Sequence, residues 1–390
     1  MSEMQIEDLS GVEDFIGIRR DIHQNPELAF NEFRTADLVA KNLAKWGYKV
    51  SRGLGGTGVV GSMTQGDGKK AIGIRADMDA LPIEELNNVG WVSKVPGVMH
   101  ACGHDGHTAT LLAAAKGIAS KKNFSGTINL IFQPAEEGGG GALKMMTDGL
   151  FDAHPCDVIF AMHNLPGVPQ GHFVFRDGPA MASSDYATIR LYGLGGHGAM
   201  PHKANDPIVA LSSIVMGLQT IVSRNVDPQE MAVITVGAIS SGGANNVIPA
   251  YAVMEISVRA LNPAIRSILE IRIKDLIDFQ AKSYLVRAEI DWRSGYAVLV
   301  NSNVETDFAR DVAIKTFGDS NVTRQGPALT ASEDFAFMLE KIPGSYFFIG
   351  NGDGSSQGAC MVHNPSYDFN DLNIKVGARM WESLVESYLI

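Results

Sequence analysis

The stretch TINLIFQPAEEGGGGA, residues 127–142, reads as a short strand that runs directly into a pair of glutamates and four glycines. Ile128, Leu130, Ile131 and Phe132 form an apolar run rather than a strict alternation, as expected of a strand covered on both faces of a parallel sheet. DVIFAMH (157–163) has the same character, and AIGIRAD (71–77) is a third short apolar run that ends in acid. Helical segments separate these strands. Leu38, Val39, Leu43 and Trp46 recur at helical spacing within 33–46, and HDGHTATLLAAAKGIAS (104–120) is rich in Ala and Leu. This alternation predicts an α/β domain with a mostly parallel sheet and flanking helices.

Beyond residue 180 the pattern changes. SDYATIRLYG (184–193) alternates, with Ala187, Ile189 and Leu191 on one face. The segment 206–222 predicts a helix capped by Asp206, with Pro207 in its first turn and a stripe of Ile208, Leu211, Val215, Leu218 and Val222. Strands at 232–240 and 251–260, a helix over about 263–282 and a strand at 285–293 follow. Strand–helix–strand–strand–helix–strand predicts an α+β, ferredoxin-like unit. From 294 the α/β character returns, with helices near 304–317, 333–341 and 372–388 and a strand at SYFFIG. The expected layout is a discontinuous main domain, 1–180 and 294–390, holding an inserted domain, 181–293.

Composition limits the function. The 390 residues carry 32 Lys+Arg against 43 Asp+Glu, a net charge of −11, which argues against a nucleic-acid binder. No apolar run of membrane-spanning length is expected, and MSEMQIEDLS lacks the basic and apolar regions of a secretory signal. Three cysteines, Cys102, Cys156 and Cys360, make no disulfide framework and fit a cytoplasmic protein.

Chemistry concentrates at the strand ends. MHACGHDGH (99–107) places His100, Cys102, His104, Asp105 and His107 together just before a helix. Thiolate and imidazole are good ligands for zinc and other divalent transition metals, and Cys102 and His104, two apart in a loop, can aim at one point. His107, inside the helix, is either packing or support. Glu136 and Glu137 cannot face the same way in extended backbone, so one suits a metal and the other proton transfer. Asp77 and Asp79 follow the 71–77 strand, and His163 ends the 157–163 strand. In open α/β sheets, sites lie beyond the carboxyl ends of strands, and three strands here end in ligands or acid/base groups. G-x-G-x-x-G occurs at Gly53-Gly55-Gly58 and Gly193-Gly195-Gly198, but neither opens a helix after a strand, so neither predicts a dinucleotide site. His23, His154 and His172 are expected to be surface or structural residues and receive no role.

RADMDALPIEE, HACGHDGHTATLL, FQPAEEGGGGA, MHNLP, GGHGAMPH, NVIP and MVHNPSYDFND, in this order, resemble the dinuclear-metal aminoacylase and carboxypeptidase superfamily. More narrowly they resemble its hippurate hydrolase and auxin–amino acid conjugate hydrolase branch, from about residue 15 to 385. The resemblance implies two divalent ions per subunit, zinc or manganese, or nickel or cobalt, on Cys102, His104, Glu137, His163 and His363. It implies Glu136 as general base and Asp77 as the acid that orients a metal-binding histidine, although Arg75 stands where relatives place that histidine. It also implies that His197 serves the neighbouring subunit's site and that Asn246 and Arg259 meet the substrate's carboxylate end. Arg259 shares a strand face with Val253, Glu255 and Ser257, so a salt bridge with Glu255 is the alternative. His202 receives no role.

The function that follows is hydrolysis of the amide bond of N-acyl-amino acids by a homodimer or higher homo-oligomer whose inserted domain serves as lid and dimerisation unit. The competing readings are a metallopeptidase or carboxypeptidase, an N-acetyl-diaminopimelate-type deacetylase, and a metal-stabilised binding protein without catalysis. Neither a nucleic acid nor a membrane is expected as partner.

Overall fold

The computed structural model describes residues 12–354 and 358–390. The chain forms two compact units: Met1–Gly178 with Val300–Pro327 and Phe337–Ile390, and Pro179–Leu299 with Ala328–Ala336.

The larger unit is built on an eight-stranded sheet. Its first strands are β1 (Lys49–Leu54), β2 (Gly58–Gln65), β3 (Ala71–Asp77), β4 (Gly126–Gln133) and β5 (Val158–Pro166). The order is β1-β2-β4-β3-β5, followed by Gly344–Gly352, Phe173–Val174 and Val322–Thr323. β4, β3, β5 and Gly344–Gly352 are mutually parallel, whereas the β1–β2 hairpin joins antiparallel. Gly53, Gly55 and Gly58 lie in this hairpin, which removes the first dinucleotide-like match. Ile72, Ile74, Ile128, Leu130, Ile131, Phe132, Ile159 and Phe160 have no exposed surface, as the unbroken apolar runs require.

The helices α1 (Val12–Gln24), α2 (Phe33–Lys45) and α3 (His104–Lys121) flank this sheet, with Asn303–Phe317 and Leu372–Tyr388. Small residues let α3 pack against α1 and Leu372–Tyr388, and His104 through Ala115 are all buried. The helix expected at 333–341 shrinks to Phe335–Leu339. Glu333 takes the Phe335 amide with its side chain, and the Lys341 amide closes a turn onto Met338 just before Pro343. His163 does not end its strand: β5 runs on to Pro166, and His163 sits beside Phe348 in parallel register.

The smaller unit has a four-stranded antiparallel sheet in the order Ala232–Ser241, Tyr251–Ala260, Asp185–Tyr192, Arg287–Ser294. Its helices are Pro207–Asn225 and Pro263–Ser283. Ala187, Ile189 and Leu191 on one strand join Met254, Ile256 and Val258 on the next to make its core. Asp206 caps the first helix by accepting the Ile208 amide at 2.8 Å. The buried stripe of that helix is Ala210, Leu211, Ile214, Leu218 and Ile221, whereas Ile208 is exposed. Leu211 and Leu218 of the expected stripe are buried and Val215 and Val222 pack against the same core, while Ser212, Gln219, Thr220, Ser223 and Arg224 face outward. The helix's length and composition depart from the membrane-length expectation. Among the described residues this one helix has a mean hydropathy of 1.4 and is long and apolar enough to cross a membrane.

Candidate metal centre

Three parallel strands and α3 deliver the chemistry. β3 ends at Asp77, β4 leads through Pro134 and Ala135 to Glu136 and Glu137, β5 carries His163, and α3 begins at His104. The turn between Cys102 and His104 requires glycine. Gly103 has φ +91°, and a Cβ there would lie 2.4 Å from Asn164 Nδ2 and 2.5 Å from the Tyr367 hydroxyl oxygen. His363 also takes a left-handed φ of 63°, with its amide donating to the Ala101 carbonyl at 2.7 Å.

Among the described residues, Cys102, His104 and His163 place one ligand atom each within 4.8 Å of one another, and so do Cys102, Glu137 and His363. Cys102 belongs to both groups. Its Sγ lies 3.4 Å from His163 Nε2. His163 Nδ1 faces the Asn164 carbonyl at 2.7 Å, and His104 Nδ1 faces the Asp79 carbonyl at 2.9 Å. Each ring donates from Nδ1 and so turns the lone pair of Nε2 inward. His104 Nε2 is buried with no hydrogen-bond partner, and Glu137 Oε1, 3.1 Å from His363 Nε2, makes no hydrogen bond either. Converging donor atoms left unbonded in a buried place fit divalent cations, and imidazole, thiolate and carboxylate are the donor set such ions take.

His107 belongs elsewhere. Its Nδ1 contacts Asp77 Oδ1 at 2.6 Å, while Nε2 accepts the Asn164 amide at 3.1 Å, so neither nitrogen is left for a cation. Asp77 is held from the other side by Arg75 Nη1 at 2.7 Å and lies 3.8 Å from His104 Nε2. Arg75 also donates to Gln133 at 2.8 Å, so it braces the ends of β3 and β4.

The electrostatics follow from burial among like and unlike charges. Burial, then the charges of Glu137, Glu136 and Asp77, push the Cys102 thiol well above its ordinary range. Burial opposes the charged form of His104, but Asp77, Asp79 and Glu137 outweigh it and raise the imidazole to about 10. Burial and the charge of His107 hold His163 well below its ordinary value. The cluster carries concentrated negative potential that a bound cation would neutralise.

The remaining sequence candidates lie in the smaller unit. His197 pairs with Val247 across the short Gly196–His197 and Val247–Ile248 ladder, and the Gly198 amide donates to the Asn246 carbonyl at 2.8 Å. His197 and Asn246 are thus neighbours, both exposed. Arg259 reaches the Ser332 hydroxyl at 3.0 Å and Tyr186 at 3.3 Å, not Glu255. Its partners are neutral. His202 is exposed in the turn Pro201–Lys203.

The pattern of peptidase family M20/M25/M40 matches residues 73–387. The chain belongs to that family. Among M20 relatives, the hippurate hydrolase of Campylobacter jejuni is 45% identical over 99% of this chain and 98% of its own. An IAA-amino acid hydrolase of Arabidopsis thaliana is 37% identical over 96% of this chain and 86% of its own. A solved Bacillus subtilis structure, described as a dinuclear metal binding peptidase of the M20 family, superposes with a TM-score of 0.85 at 31% identity. It covers 98% of this chain and 99% of that one.

Residue patterns did not reveal three features of this M20 site. Asp79 accepts the Glu136 amide at 3.0 Å and the Glu137 amide at 2.9 Å. Glu32 accepts the Ala135 amide at 2.9 Å from 103 residues away. Asn164 ties the Cys102 carbonyl, at 2.7 Å, to the Tyr367 hydroxyl, at 2.8 Å. RADMDALP placed Asp79 at a strand end, which was a usable signal; nothing near Glu32 announces its partner.

Proposed function

We propose that this chain is a metal-dependent amidohydrolase that cleaves N-acyl-amino acids into a carboxylic acid and an amino acid. The observation that carries the reading is the pair of ligand groups sharing Cys102, with Glu136 beside them. Cys102, His104, Glu137, His163 and His363 would hold two divalent ions, with Cys102 common to both. Bound ions would polarise the acyl carbonyl, acidify the attacking water and keep Cys102 as thiolate. Zinc suits the thiolate, and manganese, nickel or cobalt suit the carboxylate and imidazoles.

Glu136, 7% exposed, accepts the proton of the attacking water as the oxygen joins the acyl carbon. It then delivers that proton to the nitrogen as the C–N bond breaks. Asp77, clasped by Arg75 and His107, fixes the end of β3 beside His104. His197 supplies an imidazole to the oxyanion, in the neighbouring subunit's site as the family likeness implies. Arg259, which has no carboxylate partner among the described residues, takes the substrate carboxylate with Asn246.

The discontinuous larger unit is the catalytic domain, and the smaller unit is the lid and dimerisation domain. Met216 and Phe279, 70% and 68% exposed on its two helices, support a homodimer. Three free cysteines support a cytoplasmic setting. The test is metal analysis of the purified protein with an activity screen on hippurate, other N-acyl-amino acids, dipeptides and N-acetyl-diaminopimelate. About two divalent ions per chain and turnover of N-acyl-amino acids are expected. Turnover of dipeptides alone, or inertness with every metal added, overturns the reading.

A further inference from the structure

We infer that Asp79 and Glu32 act as a carboxylate clamp, positioning the general base and the metal-ligating groups through the backbone of residues 135–137. Three consecutive amides in this loop end on two buried carboxylates. Ala135 donates to Glu32 Oε1 at 2.9 Å, Glu136 to Asp79 Oδ1 at 3.0 Å, and Glu137 to Asp79 Oδ2 at 2.9 Å. Glu32 is 0% and Asp79 1% exposed. Hydrogen bonds to ionised acceptors are about twice as strong as neutral ones, so the loop is firmly held.

The local backbone shows why a clamp is needed. Ala135 has a φ of 54°, in the left-handed region that a residue with a Cβ rarely adopts. This turn aims the three amides inward, and the surrounding contacts must maintain it. Glu136 and Glu137 are adjacent, yet each places a carboxylate oxygen within 4.8 Å of the same His104 nitrogen. Small rotations of this backbone would move both carboxylates together.

Asp79 does a second job. Its main-chain carbonyl lies 2.9 Å and its Oδ1 3.3 Å from His104 Nδ1. One residue therefore sets the ring of a ligand and the backbone of both glutamates. Outer partners of this kind typically govern metal affinity or activity by about 10–100-fold.

The two carboxylates differ in what they can lose. Both oxygens of Asp79 accept from N–H donors, so an asparagine would turn an NH2 group against an amide. Glu32 Oε1 accepts the Ala135 and Phe30 amides, and Oε2 accepts the Thr57 hydroxyl. A glutamine keeps the first oxygen and donates to Thr57 instead, whose hydroxyl rotates to accept. The clamp thus predicts that Asp79→Asn is damaging, that Glu32→Ala is damaging, and that Glu32→Gln recovers most of what Glu32→Ala loses.

This inference rests on the amidohydrolase reading for its kinetic consequences but not for its structural ones. The experiment measures hydrogen exchange of the 135–137 amides in metal-free protein, Zn2+ and Mn2+ affinity by chelator competition, and kcat and KM on an N-acyl-amino acid. Asp79→Asn should speed exchange of those amides, weaken metal binding by about 10–100-fold and lower kcat with little change in KM. Unchanged exchange and metal affinity in a folded Asp79→Asn protein would overturn the clamp. Should Asp79→Asn not fold, the Glu32 pair decides: equal losses in Glu32→Ala and Glu32→Gln overturn it, and rescue by glutamine supports it. An inactive wild-type protein would sink the amidohydrolase reading, while exchange and metal affinity would still judge the clamp.

Discussion

Cys102, His104 and Glu137 sit where several segments of the larger unit end, each tied by hydrogen bonds to buried neighbours. His197 and Asn246 stand exposed on a two-residue strand ladder of the smaller unit, and Arg259 is half-buried on its sheet. The first group is fixed before any ligand arrives: ring orientation at His104 and His163 is set by carbonyls, and loop 135–137 by carboxylates. The second group presents charge and hydrogen-bonding capacity to the outside. Under the proposed function, with His197 set apart as an oxyanion donor, the contrast matches two tasks. Proton transfer and metal chelation need geometry held within fractions of an ångström, whereas recognition of a substrate's end tolerates an exposed, adaptable contact.

The sharpest way to break this contrast is Glu136→Gln. Turnover should fall by about 10³-fold while metal content stays at the wild-type level. Full activity in that variant would remove Glu136 from the chemistry. Cys102→Ala comes next, because it strips a ligand from both groups at once. Metal analysis should show loss of bound ion, and unchanged stoichiometry would end the shared-ligand assignment. His197→Ala tests the exposed group and should lower kcat by about 10²-fold, as for removal of an oxyanion donor, with metal content intact. A smaller effect belongs to Arg259→Met. KM for an N-acyl-amino acid should rise by about 10-fold, and the rise should vanish when the substrate carboxylate is replaced by an amide. The smallest concerns scaffold alone: Asp206→Ala should lower stability by about 1 kcal/mol in denaturant titration and leave kcat unchanged.

Much of this was legible along the chain. Apolar runs at 71–77, 127–133 and 157–163 announced the parallel strands, and the alternation of 184–193 announced the half-covered sheet of the smaller unit. Ala187, Ile189 and Leu191 face inward as their period requires. Cys102, His104 and His163 do converge, and so do His104 and Glu137, although His163 lies within β5 and not at its end. Errors arose where local pattern underdetermines the answer. Of the stripe expected on Pro207–Asn225 only Ile208 is exposed, and the helix expected at 333–341 forms only over Phe335–Leu339, where Glu333 takes the Phe335 amide.

Residue types and their spacing along the chain thus determined the strands, the two kinds of sheet and the ligand types, because period and donor chemistry are local properties. Only the tertiary structure decided that His107 braces β5 instead of facing a cation, that Arg259 meets hydroxyls instead of Glu255, and that Glu32 and Asp79 hold the loop at 135–137. Those outcomes depend on which atoms meet across tens or hundreds of residues. A hydrogen bond spans about 3 Å in space whatever the separation in sequence.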